Sequence, residues 1–401
     1  MTDLAYIDLV LRAARPRVMS ELLRVLRELD AAEEAFQEVS LAALSAWAVE
    51  GPPRDPGAWL IAHVRGGEIA LQSSTAFDSN TDADDILRLL FVCCHPELPA
   101  TQQLALSLRL VCGLTVAQIA RAFVVDERAM ARRIAQATQR ATRTGTAAMV
   151  WDACERAARA RNVGAVLYLM FNAGYSASGA GANTRAPLCE EAIRLARLLA
   201  STRPDDPELL GLLALMLLQD SRALARIDAA GSVVLLDDQD RKLWDRAEIE
   251  EGLALLDRAM QLRQPGSYQL QAAIAATHAR AESPEQTDWA QIERLYAALE
   301  RVSPSPVVAL NRAVAISKVR GADAALQVVE PLESQLDGYF YFHGMRGKLL
   351  AQLGRAAEAQ KAWTRAIGLA NTPAEAAHIR MQLDGLQKEF RRGRPGLRSV
   401  R

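Results

Sequence analysis

With 401 residues, half of them hydrophobic, the chain is too long for one ordinary core and too apolar to be mainly disordered, so two or three folded domains are expected. Aromatic residues make up only 5%, and alanine, leucine and arginine dominate, a helix-forming composition that points to an all-α fold. The formal net charge of −1 excludes a uniformly basic nucleic-acid binder, yet the charge is uneven: residues 1–75 hold seven arginines against eleven acids, residues 113–145 six arginines against two.

No basic stretch followed by an apolar core opens the chain, and no uncharged apolar window of about 18 residues occurs, so neither a signal peptide nor a membrane span is expected. The odd set Cys93, Cys94, Cys112, Cys154 and Cys189 lacks a CxxC spacing, the adjacent Cys93-Cys94 read as small core residues rather than a redox or metal pair, and a cytoplasmic protein is expected.

Residues 4–50 carry two or three amphipathic helices. In the acidic run Asp30–Glu38, Asp30 is placed to cap a helix and Glu33 stands three residues on, a capping-box spacing; Phe36, Val39, Ala43, Leu44 and Trp47 then share one face. Gly51-Pro52-Pro53 ends that helix. Asp55-Pro56 starts the next, with Asp55 as N-cap and Pro56 at the first helical position, and the pattern extends over 55–72. Residues 72–83 are polar and turn-rich, and 75–83 read as a linker between a 1–74 domain and an 84–146 domain. Helical periodicity resumes at Asp84, pauses at His95-Pro96 and stops at Gly113.

A short helix capped by Thr115 and carrying Val116, Ile119, Ala120 and Phe123 comes next. After a tight connection, Asp126 can cap a longer helix from Glu127 to about Arg143, the outline of a helix-turn-helix. Arg128, Arg132, Gln136, Arg140 and Arg143 recur at three- and four-residue steps on one face, with Arg133 beside them, while Met130 and Ile134 point elsewhere. Arginine and glutamine suit phosphates and the edges of guanine and adenine, so these residues with Thr115 form a candidate DNA-binding set; charge alone equally fits a solvated helix face. Asp30, Glu33, Glu34, Gln37 and Glu38 are likewise either a solvated acidic face or a surface for a basic protein partner.

From about 147 the chain reads helix after helix, with turn signals at Asn172-Ala-Gly174, Ser178–Asn183, Arg203-Pro204, Gln264-Pro265-Gly266 and Ser303-Pro304. Within 340–371, Gly347, Leu350, Ala359, Trp363 and Ala366 keep the spacing of a tetratricopeptide unit, and 305–334 is a weaker copy, so the repeat region is 305–371.

The run Asp30-Ala-Ala-Glu-Glu-Ala-Phe-Gln-Glu resembles the core-polymerase-binding segment of extracytoplasmic-function sigma factors of the sigma-70 family. Leu-Ser-Leu-Arg-Leu-Val-Cys-Gly-Leu-Thr-Val-Ala-Gln-Ile-Ala-Arg-Ala-Phe, within Leu104–Ala141, resembles their promoter-reading domain. The downstream runs Leu169–Ser178, Leu209–Asp220, Leu236–Arg241, Tyr268–Ala275 and Ser303–Arg312 resemble a subgroup with a C-terminal tetratricopeptide-like extension. The resemblance implies a region-2-like domain, a region-4-like helix-turn-helix domain and an extension over 147–401, with core RNA polymerase and promoter DNA as partners. It implies that Asp30, Glu33, Glu34, Gln37 and Glu38 meet polymerase, that the 55–72 helix serves the −10 element, and that the 127–143 helix reads the −35 element.

Two departures stand out. The segment Ala62–Ser74 holds one arginine, one histidine, one glutamate and a Gly66-Gly67 pair, where the family carries a basic run that grips phosphates and a melted strand. Ala173 stands where the resemblance leads to glutamate. A second reading is therefore a sigma-like scaffold that no longer melts promoters and instead binds a small molecule or a protein, or catalyses a reaction. Its pocket would draw on Asn172, Tyr175, Asp220, Arg222, Asp238, Gln239, Asp240, Arg241, Tyr268, Gln271 and His278, although such clusters also form structural ion pairs. The chain shows no Walker loop, dinucleotide fingerprint, HExxH or GxSxG motif, and its histidines are scattered, so no catalytic residue, metal or cofactor is expected.

Overall fold

A computed structural model describes residues 4–26, 28–64, 81–95, 97–123, 125–143, 153–176, 182–228, 234–370 and 373–392. The fold is all-α, with no strand among the described residues. Two compact units divide the chain, Met1–Pro204 and Asp205–Arg401.

The first unit holds α1 (Leu4–Leu26), α2 (Leu29–Glu50), α3 (Pro56–His63), α4 (Thr81–Cys93), α5 (Ala100–Leu110), α6 (Val116–Ala122), α7 (Glu127–Arg143), α8 (Ala153–Ser176) and α9 (Ala182–Thr202). The expected apolar stripe of α2 is buried at Phe36, Val39, Ala43 and Trp47, and Gly51 ends the helix at φ 78°. The start of α2 departs from the sequence reading. The helix begins at Leu29 behind Glu28, which makes no side-chain cap, and Asp30 sits exposed in the first turn. Burial of Leu29 pulls the boundary back by two residues, so Asp30 and Glu33 do not form a capping box.

Asp55 caps α3 through the Ala58 N–H at 3.0 Å, as its pairing with Pro56 leads one to expect. Helix α3 ends at His63, with its C-cap Val64 already extended at ψ 125°, so the 55–72 pattern is not one continuous helix. The remainder of the 55–72 pattern, including most of the poorly basic segment, lies outside the described residues. Helix α4 begins at Thr81, inside the stretch read as linker. The adjacent Cys93 and Cys94 are free and buried in the core, and burial raises the Cys94 thiol to about 12.

Helices α8 and α9 pack together, and α8 rests on α4 and α5, with the Arg159 guanidinium donating to the Phe91 carbonyl at 3.0 Å. The compact unit consequently closes at 204, later than the 146/147 boundary drawn from the sequence. Asn172-Ala-Gly174 is helical within α8 rather than a turn: Gly174 is buried and Phe171 stacks on Tyr175, so packing overrides the local turn preference.

The second unit runs α10 (Pro207–Asp220), α11 (Arg246–Gln261), α12 (Ser267–Arg280), α13 (Trp289–Val302), α14 (Pro306–Arg320), α15 (Ala322–Val329), α16 (Glu333–Leu336), α17 (Phe340–Gln352), α18 (Ala356–Leu369) and α19 (Pro373–Arg392). Helix α10 is apolar all round and buried from Leu209 to Leu218, which makes it the central helix under α11 and α12. Gly211 lets α12 approach, since a methyl there would meet Gln269 Cγ at 2.7 Å. The turns at Arg203-Pro204, Gln264–Gly266 and Ser303-Pro304 fall between helices, as the breakers indicate.

Helices α17 and α18 form a hairpin about Gly354, at φ 74°. Gly347 faces the Trp363 ring so closely that any side chain would collide with it, and Trp363 Nε1 donates to the Gly344 carbonyl at 3.2 Å. Helices α14 and α15 make a similar hairpin about Gly321, at φ 88°.

Candidate nucleic-acid interface

The pair α6–α7 is built as a helix-turn-helix by two caps and a small shared core. The Thr115 hydroxyl accepts from the Gln118 N–H at 3.2 Å, and Gln118 Oε1 accepts from the Thr115 N–H at 2.8 Å, a reciprocal capping box. Asp126 caps α7 by accepting from the Ala129 N–H at 3.1 Å. Ile119, Ala120 and Met130 are buried between the two helices, while Phe123, Val125 and Ile134 are half-buried. On the buried side of α7, Ala137, Thr138 and Ala141 continue the stripe toward α5.

The opposite side of α7 carries Arg128, Arg132, Gln136 and Arg140 in exposed positions, with Arg133 half-buried beside them. Arg140 also donates to Gln102 Oε1 on α5 at 3.2 Å, which fixes one end of the row. The Arg143 side chain lies outside the described residues. The arrangement presents planar, bidentate donors in a row along one ridge of a helix anchored at both ends.

The acidic helix divides its residues between two surfaces. Asp30, Glu34, Gln37 and Glu38 are exposed, together with Leu41 and Val49 farther along. Glu33 instead turns inward. Its carboxylate forms a close ion pair with Arg15 of α1 and meets Arg109 of α5 at 3.3 Å. Arg15 Nε donates to the Leu110 carbonyl at 3.2 Å, its guanidinium lies 4.6 Å over the Phe36 ring, and Arg109 donates to the Leu114 carbonyl at 3.3 Å. Burial is the largest influence on Arg15 and lowers its pKa, Glu33 pulling in the opposite direction. One carboxylate thus joins α1, α2 and the segment leading into the helix-turn-helix. Sequence reasoning did not find Arg15 and Arg109 in this role, because they stand 18 and 76 residues from Glu33.

The polar residues read as an extension pocket are distributed over both units. Asn172 and Tyr175 lie on α8 of the first unit, half-buried. In the second unit Asp220 ends α10, Asp238 is exposed, and Asp240 caps the short turn that follows it by accepting from the Lys242 N–H at 2.9 Å. Gln239 donates to the Val234 carbonyl at 3.2 Å. Arg241 is buried; it donates to the carbonyls of His278, at 2.8 Å, and of Ala281, and so finishes the C-terminal end of α12. His278 is pushed down to about 4 by burial and by Arg222 and Arg241, against the opposing pull of Asp237. Gln271 bonds within α12, to the Ser267 carbonyl at 3.3 Å.

Tyr268 marks a cap that the sequence did not disclose. Glu208 of α10 accepts from the Tyr268 N–H at 3.1 Å and from the Gln269 N–H at 3.2 Å, supplying the N-terminal end of α12 from another helix. No group of acids, histidines and cysteines among the described residues is arranged to hold a metal ion, and no described helix is long and apolar enough to cross a membrane.

Comparison with known proteins matches residues 88–140 to the family model for sigma-70, region 4, a span that runs from within α4 to Arg140 of α7. Residues 159–260 match a family of unknown function, DUF6596. The whole chain is similar to an uncharacterized protein of Rhizobium meliloti (strain 1021), 55% identical over 413 residues that cover 97% of this chain and 98% of the relative.

Proposed function

We propose that the chain, whose residues 88–140 match the family model for sigma-70, region 4, and which over almost its full length belongs to the family of its Rhizobium meliloti relative, is an extracytoplasmic-function-type sigma factor of the sigma-70 family directing transcription initiation in the cytoplasm. In this reading residues 1–74 are the region-2-like domain, 75–83 a linker and 84–146 the region-4-like domain. Residues 147–401 form a regulatory extension with tetratricopeptide-like repeats at 305–371. The observation that carries the reading is the exposed row Arg128, Arg132, Gln136 and Arg140 on a capped helix inside the region 4 match. Those donors suit bases and phosphates at a −35 element. The exposed Asp30, Glu34, Gln37 and Glu38 serve core RNA polymerase, with Leu41 as an apolar contact in the same face.

Transcription in vitro, with core polymerase and a promoter library, tests the proposal. Promoter-dependent product that disappears in Arg128→Ala/Arg132→Ala supports it. Absence of both product and core binding sinks it.

A second reading keeps the scaffold and drops promoter melting. It is favoured by the poorly basic Ala62–Ser74 segment and by the inward turn of Glu33, which removes one acid from the polymerase-facing set. Here the chain binds core or DNA but yields no open complex, and the extension serves a small-molecule or protein ligand. Permanganate footprinting of the −10 region separates the two: reactive thymines favour the sigma factor, their absence on a bound promoter the repurposed scaffold.

A further inference from the structure

Within the first unit, charged side chains tie the helices read as region-2-like, α1 to α3, to those read as region-4-like, α4 to α7. Arg109 near the end of α5 reaches the Glu33 carboxylate of α2 at 3.3 Å, and Arg15 of α1 donates to the Leu110 carbonyl of α5 at 3.2 Å. Helix α1 also packs along α4, and α2 touches α7. The Glu33 and Arg109 side chains are 15% and 23% exposed, so water and salt screen their attraction only in part. Of Asp30, Glu33, Glu34, Gln37 and Glu38, Glu33 alone turns inward, and exposed Gln37 donates to its carboxylate at 3.4 Å. The outer face of α2 is thereby joined to the contact that closes the unit.

This closed arrangement is too short for two promoter elements at once. Helices α3 and α7 both touch α2, which has 22 residues and is about 33 Å long. Adding about 10 Å for packing at each end leaves at most about 50 Å between α3 and α7. Elements at −10 and −35 lie about 25 base pairs apart, roughly 80 Å of duplex. Over a stretch so far below its persistence length, DNA does not fold back cheaply to close that gap. The α1–α3 body and the α4–α7 body must separate before both read DNA. Among the contacts between them, the Arg109–Glu33 pair is the one for which a basic partner on α2 can compete directly.

We propose that the Arg109–Glu33 pair is a latch that keeps the chain closed, and that a basic surface docking on the acidic face of α2 opens it by taking over the Glu33 carboxylate. The latch rests on the sigma-factor reading for its partner, core RNA polymerase. The free chain is then largely closed, and opening offsets part of the free energy of core binding. Neutralising Arg109 removes that cost without touching the acids on α2 or the arginine row on α7.

The test uses the full chain carrying a donor–acceptor dye pair at Ala13 of α1 and Gln139 of α7, both exposed, attached through non-natural residues that leave the cysteines untouched. Energy transfer is high in the free wild-type chain and should fall when core polymerase is added. Arg109→Gln should lower transfer in the free chain and tighten core binding about tenfold, the gain from a competent state no longer held back by the latch. Arg109→Lys keeps the charge and should move both values back toward wild type, which mere loosening of α5 would not.

Transfer that stays high in a core complex active on a promoter overturns the latch and leaves the sigma-factor reading standing. So does a core affinity that Arg109→Gln leaves unchanged. If core does not bind at all, that reading falls, and the free chain still decides the latch: lower transfer in Arg109→Gln upholds it, equal transfer overturns it. Glu33→Gln keeps the shape of the side chain and takes the counter-charge from Arg109, and it gives the same free-chain comparison should Arg109→Gln fail to fold.

Discussion

Helices α2 and α7 both carry charged residues at helical spacing, yet they use them differently. On α7 the charged row faces outward and is tied to the fold where Arg140 donates to Gln102, and the other residues that anchor the helix are apolar or are caps next to it in sequence. On α2 the acids split: Asp30, Glu34 and Glu38 are exposed, while Glu33 is the hub between Arg15 and Arg109. A charge on an amphipathic helix is therefore a surface residue only if no distant cation claims it. The difference is energetic as well as geometric, because a carboxylate serving the buried Arg15 and the half-buried Arg109 cannot be removed without taking the counter-charge from both.

The largest expected effect tests that contrast within α2. Glu33→Ala leaves Arg15 and Arg109 without their carboxylate and should cost about 3–5 kcal/mol of stability, the range for breaking a buried pair. Glu34→Ala, one residue away and exposed, should stay within about 0.5 kcal/mol. Urea unfolding of the two variants measures both. Equal, small losses would mean that Glu33 is as solvated as its neighbours.

An intermediate effect applies to α7. Arg132→Ala should lower promoter affinity by about 1–3 kcal/mol if the side chain reads a base edge. If it grips a phosphate instead, the salt slope of binding should fall by roughly one unit with little change in sequence preference. The unfolding midpoint should hold in either case, since the residue is exposed. Fluorescence anisotropy at several salt concentrations distinguishes the outcomes. No change in affinity or slope would leave α7 a solvated face.

What the sequence disclosed follows the range of the interactions involved. The caps Thr115, Asp55 and Asp126 act over two or three residues, and each appears where its local pattern puts it. The all-α class and the α6–α7 pair rest on periodicity, which is equally local. The partners of Glu33, Arg241 and Glu208 lie tens of residues away, so no window on the chain contains both ends. Asp30 illustrates the reverse failure: its pattern fits a cap, but burial of Leu29 starts the helix earlier and leaves Asp30 in the first turn. Packing also decided Asn172–Gly174, a turn by composition and helix in the fold.

The smallest expected effect bears on Thr115, which the sequence reading assigned to DNA. Its hydroxyl oxygen accepts from the Gln118 N–H, so the residue has a structural duty, while its O–H hydrogen remains able to donate. Thr115→Ala should cost about 1 kcal/mol of stability through the lost cap. Thr115→Ser keeps the oxygen and should restore most of that. Asp126→Ala is the matched control, since it removes a cap of the same kind, at the start of α7, without a hydroxyl donor. If Thr115→Ala and Asp126→Ala lower stability equally but only the former weakens DNA binding, the Thr115 hydroxyl touches the nucleic acid as well as the helix. If both leave DNA affinity in proportion to stability, the capping box is its whole role, and the DNA-facing set begins at Arg128.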